Sequence, residues 1–133
     1  MTTIEILNLY GIKFTIFISP RPVLGKNRVR KGFIGGGSME NYFGSDFDTL
    51  ESITEDVLPI VQHYINGNNP EMNHISSELG GSVDYAIPDI SNVTFHNPND
   101  GEIVQTIPII HFTVIAEAWR EFLLQKPIVG DAI

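Results

Sequence analysis

The sequence predicts an α+β fold, an antiparallel sheet with two principal helices packed on it. Three observations lead there. Short runs of alternating apolar and polar residues lie near the N-terminus and again between positions 82 and 110. Two longer runs, 48–65 and 111–125, repeat apolar residues at helical spacing. Glycine, proline and asparagine punctuate the runs without any shift in composition, so residues 1–133 are expected to form a single domain.

Taken in order, Ile4–Leu9 and Ile12–Ser19 read as two strands, joined by a tight turn at Tyr10-Gly11. The second places Ile12, Phe14, Ile16 and Ile18 on one face. Pro20 and Pro22 stop it. Leu24–Lys31 is a basic loop or the start of a third strand, with Val29–Ile34 able to pair in a sheet. Gly35-Gly36-Gly37 breaks any regular element, and Ser38–Phe43 reads as a short fourth strand.

Asp48–Ile65 is the first principal helix. Asp48 is its expected N-cap, with Glu51 three positions on as a variant of the capping box. Leu50, Ile53, Val57, Ile60, Val61 and Tyr64 supply the apolar stripe, and Asn66-Gly67 the stop. Pro59 inside this pattern predicts a kink or a split near Leu58. Asn68-Asn69-Pro70 reads as loop and Glu71–Leu79 as a short helix ended by Gly80-Gly81. Ser82–Ile87, Asn92–His96 and Glu102–Ile110 read as strands, with a turn at Asn97–Gly101 and Pro108 marking an edge or an end. His111–Gln125 is the second principal helix, with Phe112, Ile115, Trp119 and Phe122 facing a core and Pro127 preventing its continuation.

Charge carries most of the functional information. The net charge is −8, from 16 acidic and 8 basic residues, and it is unevenly spread. Positions 1–31 hold six of the bases, whereas positions 32–119 hold thirteen acids and no Lys or Arg. Such a field repels nucleic acid and anionic membranes, whose binding rests on Lys and Arg, and it favours encounter with a cationic protein. Solubility alone is the simpler account of the same charge. The basic cluster Lys26, Arg28, Arg30 and Lys31 lacks interleaved aromatics, so nucleic acid is not an expected partner. No apolar run reaches the length of a membrane span, and no basic segment precedes an apolar one at the N-terminus, so a secretory signal is not expected.

The chain has 0 cysteines, which removes disulfides, thiolate chemistry and cysteine-ligated zinc. The glycine run is followed by Ser38-Met39-Glu40 rather than the Lys-Ser/Thr of a phosphate loop, and no βαβ context supports a dinucleotide fingerprint. Asp46, Asp48 and Glu51 lack the spacing and central glycine of a calcium loop. His63, His74, His96 and His111 fall in no local ligand or catalytic pattern, and no Gly-x-Ser-x-Gly elbow is present. No cofactor and no metal is therefore expected, and Asn92-Val93-Thr94 is a chance match to a glycosylation acceptor.

On the helix from Asp48, the carboxylates of Asp48, Glu51 and Glu55 fall opposite the apolar stripe, with Asp56 at the margin and no base at i+4 to pair with them. Together with Glu40, Asp46, Asp84 and Asp89 they form the expected partner-binding set.

A small, acidic, cysteine-free α+β chain with such a helix face resembles bacterial immunity proteins. Its closing pattern, a strand over Ile103–Ile110 leading into a helix with Trp119-Arg120-Glu121-Phe122-Leu123, is similar to the C-terminal end of several immunity proteins from contact-dependent growth inhibition systems. The resemblance implies a non-enzymatic cytoplasmic protein that binds and neutralises a cationic, nuclease-like toxin domain, and it transfers no catalytic residues. Two other expectations stand beside it. One is a small enzyme or small-molecule binder with a site near Gly35–Gly37 and one of the histidines. The other is a subunit of a larger assembly.

Overall fold

The computed structural model describes residues 1–19, 27–67 and 79–131. The expected helix over Glu71–Leu79 and the bases Arg21 and Lys26 lie outside the described residues, Leu79 itself excepted.

The chain opens with a helix, α1 (Thr3–Leu9), not the expected strand. Thr2 and Glu5 form a reciprocal capping box, and Ile6, Leu7 and Tyr10 turn one helical face toward the core. The helix closes on Gly11 at φ +65°, with Gly11 N–H donating to Asn8 and Ile12 N–H to Leu7. That pair of hydrogen bonds is a Schellman stop, so Tyr10-Gly11 ends a helix instead of linking two strands.

The hairpin β1 (Lys13–Ile18) and β2 (Val29–Ile34) is antiparallel, with Phe14 opposite Phe33 and Ile16 opposite Lys31. The predicted apolar face of β1 is covered only at its start. Ile12 is buried and Phe14 packs on the core, whereas Ile16 and Ile18 remain exposed. Gly35, Gly36 and Gly37 all take positive φ, and a Cβ at Gly35 would run into the Gly11 carbonyl, so the run fixes a turn that only glycine fits.

Ser38–Phe43 is helical, which corrects the expected strand. A short α2 (Ser38–Asn41) widens into a π-helical turn over Tyr42–Asp46. Met39, Tyr42 and Phe43 recur at i, i+3 and i+4, and all three are buried. The helix expected from Asp48 runs in three parts: α3 (Leu50–Ser52), a π-helical turn over Ile53–Val57, and α4 (Leu58–Ile65). The break falls where Pro59 predicts it. Proline's ring would crowd the carbonyl four residues back, and the wide turn before α4 places Leu58 N–H on Ile53 instead.

The second sheet has strand order β3 (Tyr85–Pro88), β4 (Asn92–His96) and β5 (Ile103–Pro108), all antiparallel. Pro108 ends an edge strand, as its missing N–H requires. The fold is α+β, but with two antiparallel sheets in place of one and, among the described residues, four helical segments in place of two.

The last helix, α5 (Ile109–Leu124), is the centre of the molecule. Phe112 meets Phe95 of β4 and Phe43 of the first π turn. About two turns later Trp119 is completely buried against Phe14 and Phe33 of the hairpin, with its Nε1 donating to the Phe47 carbonyl at 3.2 Å. One continuous cluster therefore joins both sheets and the helical segments, and it fixes the 50–65 segment against α5.

Candidate partner-binding surface

The eight carboxylates expected to bind a partner divide into two groups of four. Glu40, Asp46, Asp84 and Asp89 are engaged within the chain. Glu40 accepts from Gly35 N–H at 3.2 Å, and Asp84 from Ser38 Oγ at 2.9 Å. Asp46 takes both Ser82 N–H at 2.9 Å and Ser82 Oγ at 2.6 Å. Asp89 takes the N–H groups of Ser91 and Asn92, each at 2.7 Å, and so shapes the β3–β4 turn. These four side chains hold loops in place.

Asp48, Glu51, Glu55 and Asp56 are different. All four are exposed, and none has a hydrogen-bond or ion-pair partner among the described residues. Asp48 is not the N-cap expected from the sequence. Thr49 caps α3 in a reciprocal pair with Ser52, which leaves the Asp48 carboxylate outside the helix and free. Glu51 lies in the first turn, where the helix dipole favours it. Glu55 and Asp56 lie on the π turn. Its inner residues Ile53 and Val57 are completely buried, while Thr54, Glu55 and Asp56 all face outward in succession.

Among the described residues no base pairs with these four carboxylates. Lys31 is buried, its Nζ donates to the carbonyls of Phe122, Leu123 and Gln125 at the end of α5, and it lies 4.9 Å from the centre of the Phe122 ring. Burial lowers its pKa, and Asp131 partly offsets this. Arg28 donates to the Gly130 carbonyl at 3.2 Å. Arg120 reaches the 50–65 segment through Thr54 Oγ1, at 2.9 Å, and pairs with Glu121 at 3.5 Å. That is the one ion pair among the described residues.

Beside the acidic turn is a cleft of about 340 Å³ that sequence reasoning missed. Leu50, Leu123, Leu124, Ile128 and Val129 line it, and Asp48, Thr49 and Glu51 complete it. The only sequence signal is the apolar pair Ile128-Val129 just beyond Pro127. A second, wider groove of about 730 Å³ runs between α5 and residues 54–62, over Phe14, Leu58 and Phe122.

At the glycine run three of the four amides from Gly35 to Ser38 are already taken. Gly35 N–H bonds Glu40, Gly36 N–H bonds the Tyr10 carbonyl at 3.1 Å, and Ser38 N–H bonds Gln105 Oε1 at 2.9 Å. Ser38 Oγ meets a carboxylate and no histidine. His111 Nδ1 lies 2.8 Å from Tyr10 Oη, and His96 is held by Thr94 and the Gly101 carbonyl and stacks on Tyr85. His63 lies on α4 and His74 lies outside the described residues. Among the described residues no three His, Asp or Glu converge as metal ligands would. No helix among them is long and apolar enough to cross a membrane. No family model, curated protein or solved structure matches the chain.

Proposed function

We propose that this chain is a non-enzymatic inhibitor of the immunity type, which binds a cationic, nuclease-like toxin domain in the bacterial cytoplasm and blocks it. The observation that carries the reading is the set Asp48, Glu51, Glu55 and Asp56: four exposed carboxylates within residues 48–56 that have no cationic partner among the described residues. A soluble helix ordinarily spaces such groups with Lys or Arg at i+4. Here they are directed at solvent and available to a positively charged surface. Against a nuclease they stand in for substrate phosphates and occupy the cationic groove that the phosphates would otherwise enter. Engagement of the Gly35, Gly36 and Ser38 amides favours this reading over an anion or nucleotide site in the same chain.

The test is genetic and biochemical. The C-terminal domain encoded by the reading frame next to this gene is expressed alone and with this chain. The domain alone is expected to arrest growth, and co-expression to restore it. The double variant Glu55→Lys, Asp56→Lys is expected to lose protection while keeping its circular dichroism spectrum. Growth arrest that the wild-type chain fails to relieve, or full protection by the reversed variant, overturns the proposal.

A further inference from the structure

We infer that the cleft between the first turn of the 50–65 segment and the chain beyond α5 is a docking groove for a partner segment that presents an aliphatic or aromatic side chain flanked by lysine or arginine. The inference rests on the proposed function only in taking the partner to be a protein.

The lining is apolar where solvent would be expected to select otherwise. Leu50, Leu124, Ile128 and Val129 are 36%, 41%, 38% and 48% exposed, and all four open into one concavity floored by buried Leu123. Single exposed aliphatics are ordinary, whereas several converging on one depression mark a contact surface. The volume, about 340 Å³, admits a large side chain and its neighbours but is small for a folded element.

The walls are fixed before any partner arrives. Lys31 ties down the end of α5 through three carbonyls. Beyond it, Val29 and the tail exchange two backbone bonds, Val29 N–H to Asp131 and Gly130 N–H to Val29. Asp131 also accepts from Ile128 N–H at 2.8 Å. On the other side Thr49 and Ser52 cap each other. A groove held from both sides costs little ordering on binding.

The rim selects the occupant's charge. Asp48 and Glu51 line the cleft and are unpaired among the described residues. A partner bringing acids, or only apolar groups, would strip water from these carboxylates without replacing it. A segment with Lys or Arg beside its apolar anchor pairs them as the anchor enters. A polar cationic segment would satisfy the rim and leave the floor wet. Both features are needed, and together they define an amphipathic basic stretch.

A phage-displayed library of short random peptides, selected on the full-length chain, tests the assignment. Peptides carrying Leu, Ile, Phe or Trp next to Lys or Arg are expected to be enriched. The enriched peptide should bind the double variant Leu124→Ser, Val129→Ser about tenfold or more weakly. It should also weaken on Asp48→Asn, Glu51→Gln and with added salt. Both pairs of positions are exposed, so the variants are expected to fold, which circular dichroism checks. Selection of peptides without an apolar anchor, or equal binding to wild type and the Leu124/Val129 variant, overturns the assignment. So does a wild-type dimer in light scattering that this variant dissolves, because the groove would then belong to a second copy. If peptides are selected as expected but the neighbouring toxin domain is not neutralised, the inhibitor reading fails and the groove stands. If neutralisation depends on Glu55 and Asp56 while no cleft-dependent peptide emerges, the groove fails and the inhibitor reading stands.

Discussion

Tyr42 is completely buried at the start of the first π turn, and its hydroxyl donates to the Leu79 carbonyl at 2.8 Å. Burial raises its pKa well above the ordinary 10.0, and the nearby charges of Asp46 and Asp56 raise it further. Up to about pH 10 both folded and unfolded chains keep the phenol protonated, and its contribution to stability is complete. Above that value the unfolded chain loses the proton first, so stability falls as pH rises toward the folded pKa. Tyr42→Phe is expected to cost about 1–2 kcal/mol at neutral pH, because a buried carbonyl loses its donor. It should also flatten the alkaline fall, which urea titrations across a pH series will show. The glycines give a second residue-scale contrast. Both Gly11 and Gly35 take positive φ, but a Cβ at Gly11 meets open space and one at Gly35 meets backbone. Gly11→Ala should cost about 1 kcal/mol, and Gly35→Ala clearly more, in paired denaturation curves.

At the scale of elements, capping explains two of the departures from the sequence reading. The Thr2-x-x-Glu5 box was present in the sequence, yet the apolar run Ile4–Leu9 reads as a strand when period alone is weighed. In the same way Thr49, and not Asp48, starts the acidic segment. Thr49→Ala is expected to cost about 1 kcal/mol, whereas Asp48→Ala should be close to neutral, as chemical denaturation of the two variants will report. β2, β4, α5, the turn at Asn97–Gly101 and the break before Pro59 were legible, because each depends on local alternation, helical spacing or proline geometry. Ser38–Phe43 was not, because Met39, Tyr42 and Phe43 suit a buried strand or a buried helix equally well over so few residues. The surface was half legible. The sequence shows which residues lack a basic neighbour in the chain, but not which carboxylates a serine or a backbone amide will engage after folding, and beyond the apolar pair Ile128-Val129 it gives no sign that α5 and its tail close a cleft beside Asp48.

For the molecule as a whole, the uneven charge has opposite consequences for stability and for binding. A net charge of −8 with one internal ion pair among the described residues means that the carboxylates repel one another in the folded state. Added salt screens that repulsion and should raise the melting temperature of the isolated chain at low ionic strength. The same salt should slow association with a cationic partner, because the field that strains the monomer is the one that steers the encounter. Glu55 and Asp56 separate these effects. They lie past the first turn, where the helix dipole no longer rewards them, and have no hydrogen-bond or ion-pair partner among the described residues. Their joint reversal to lysine is therefore expected to leave stability unchanged or slightly higher at low salt, while the association rate with the toxin domain falls by about tenfold or more. Thermal melts and stopped-flow association on one protein preparation measure both quantities. Destabilisation by more than about 1 kcal/mol would place these carboxylates among the groups that hold the fold together, since surface substitutions without such a role stay within about 0.5 kcal/mol. Unchanged stability with a reduced rate is the signature of charge kept for a partner, because no interaction within the monomer would then account for it.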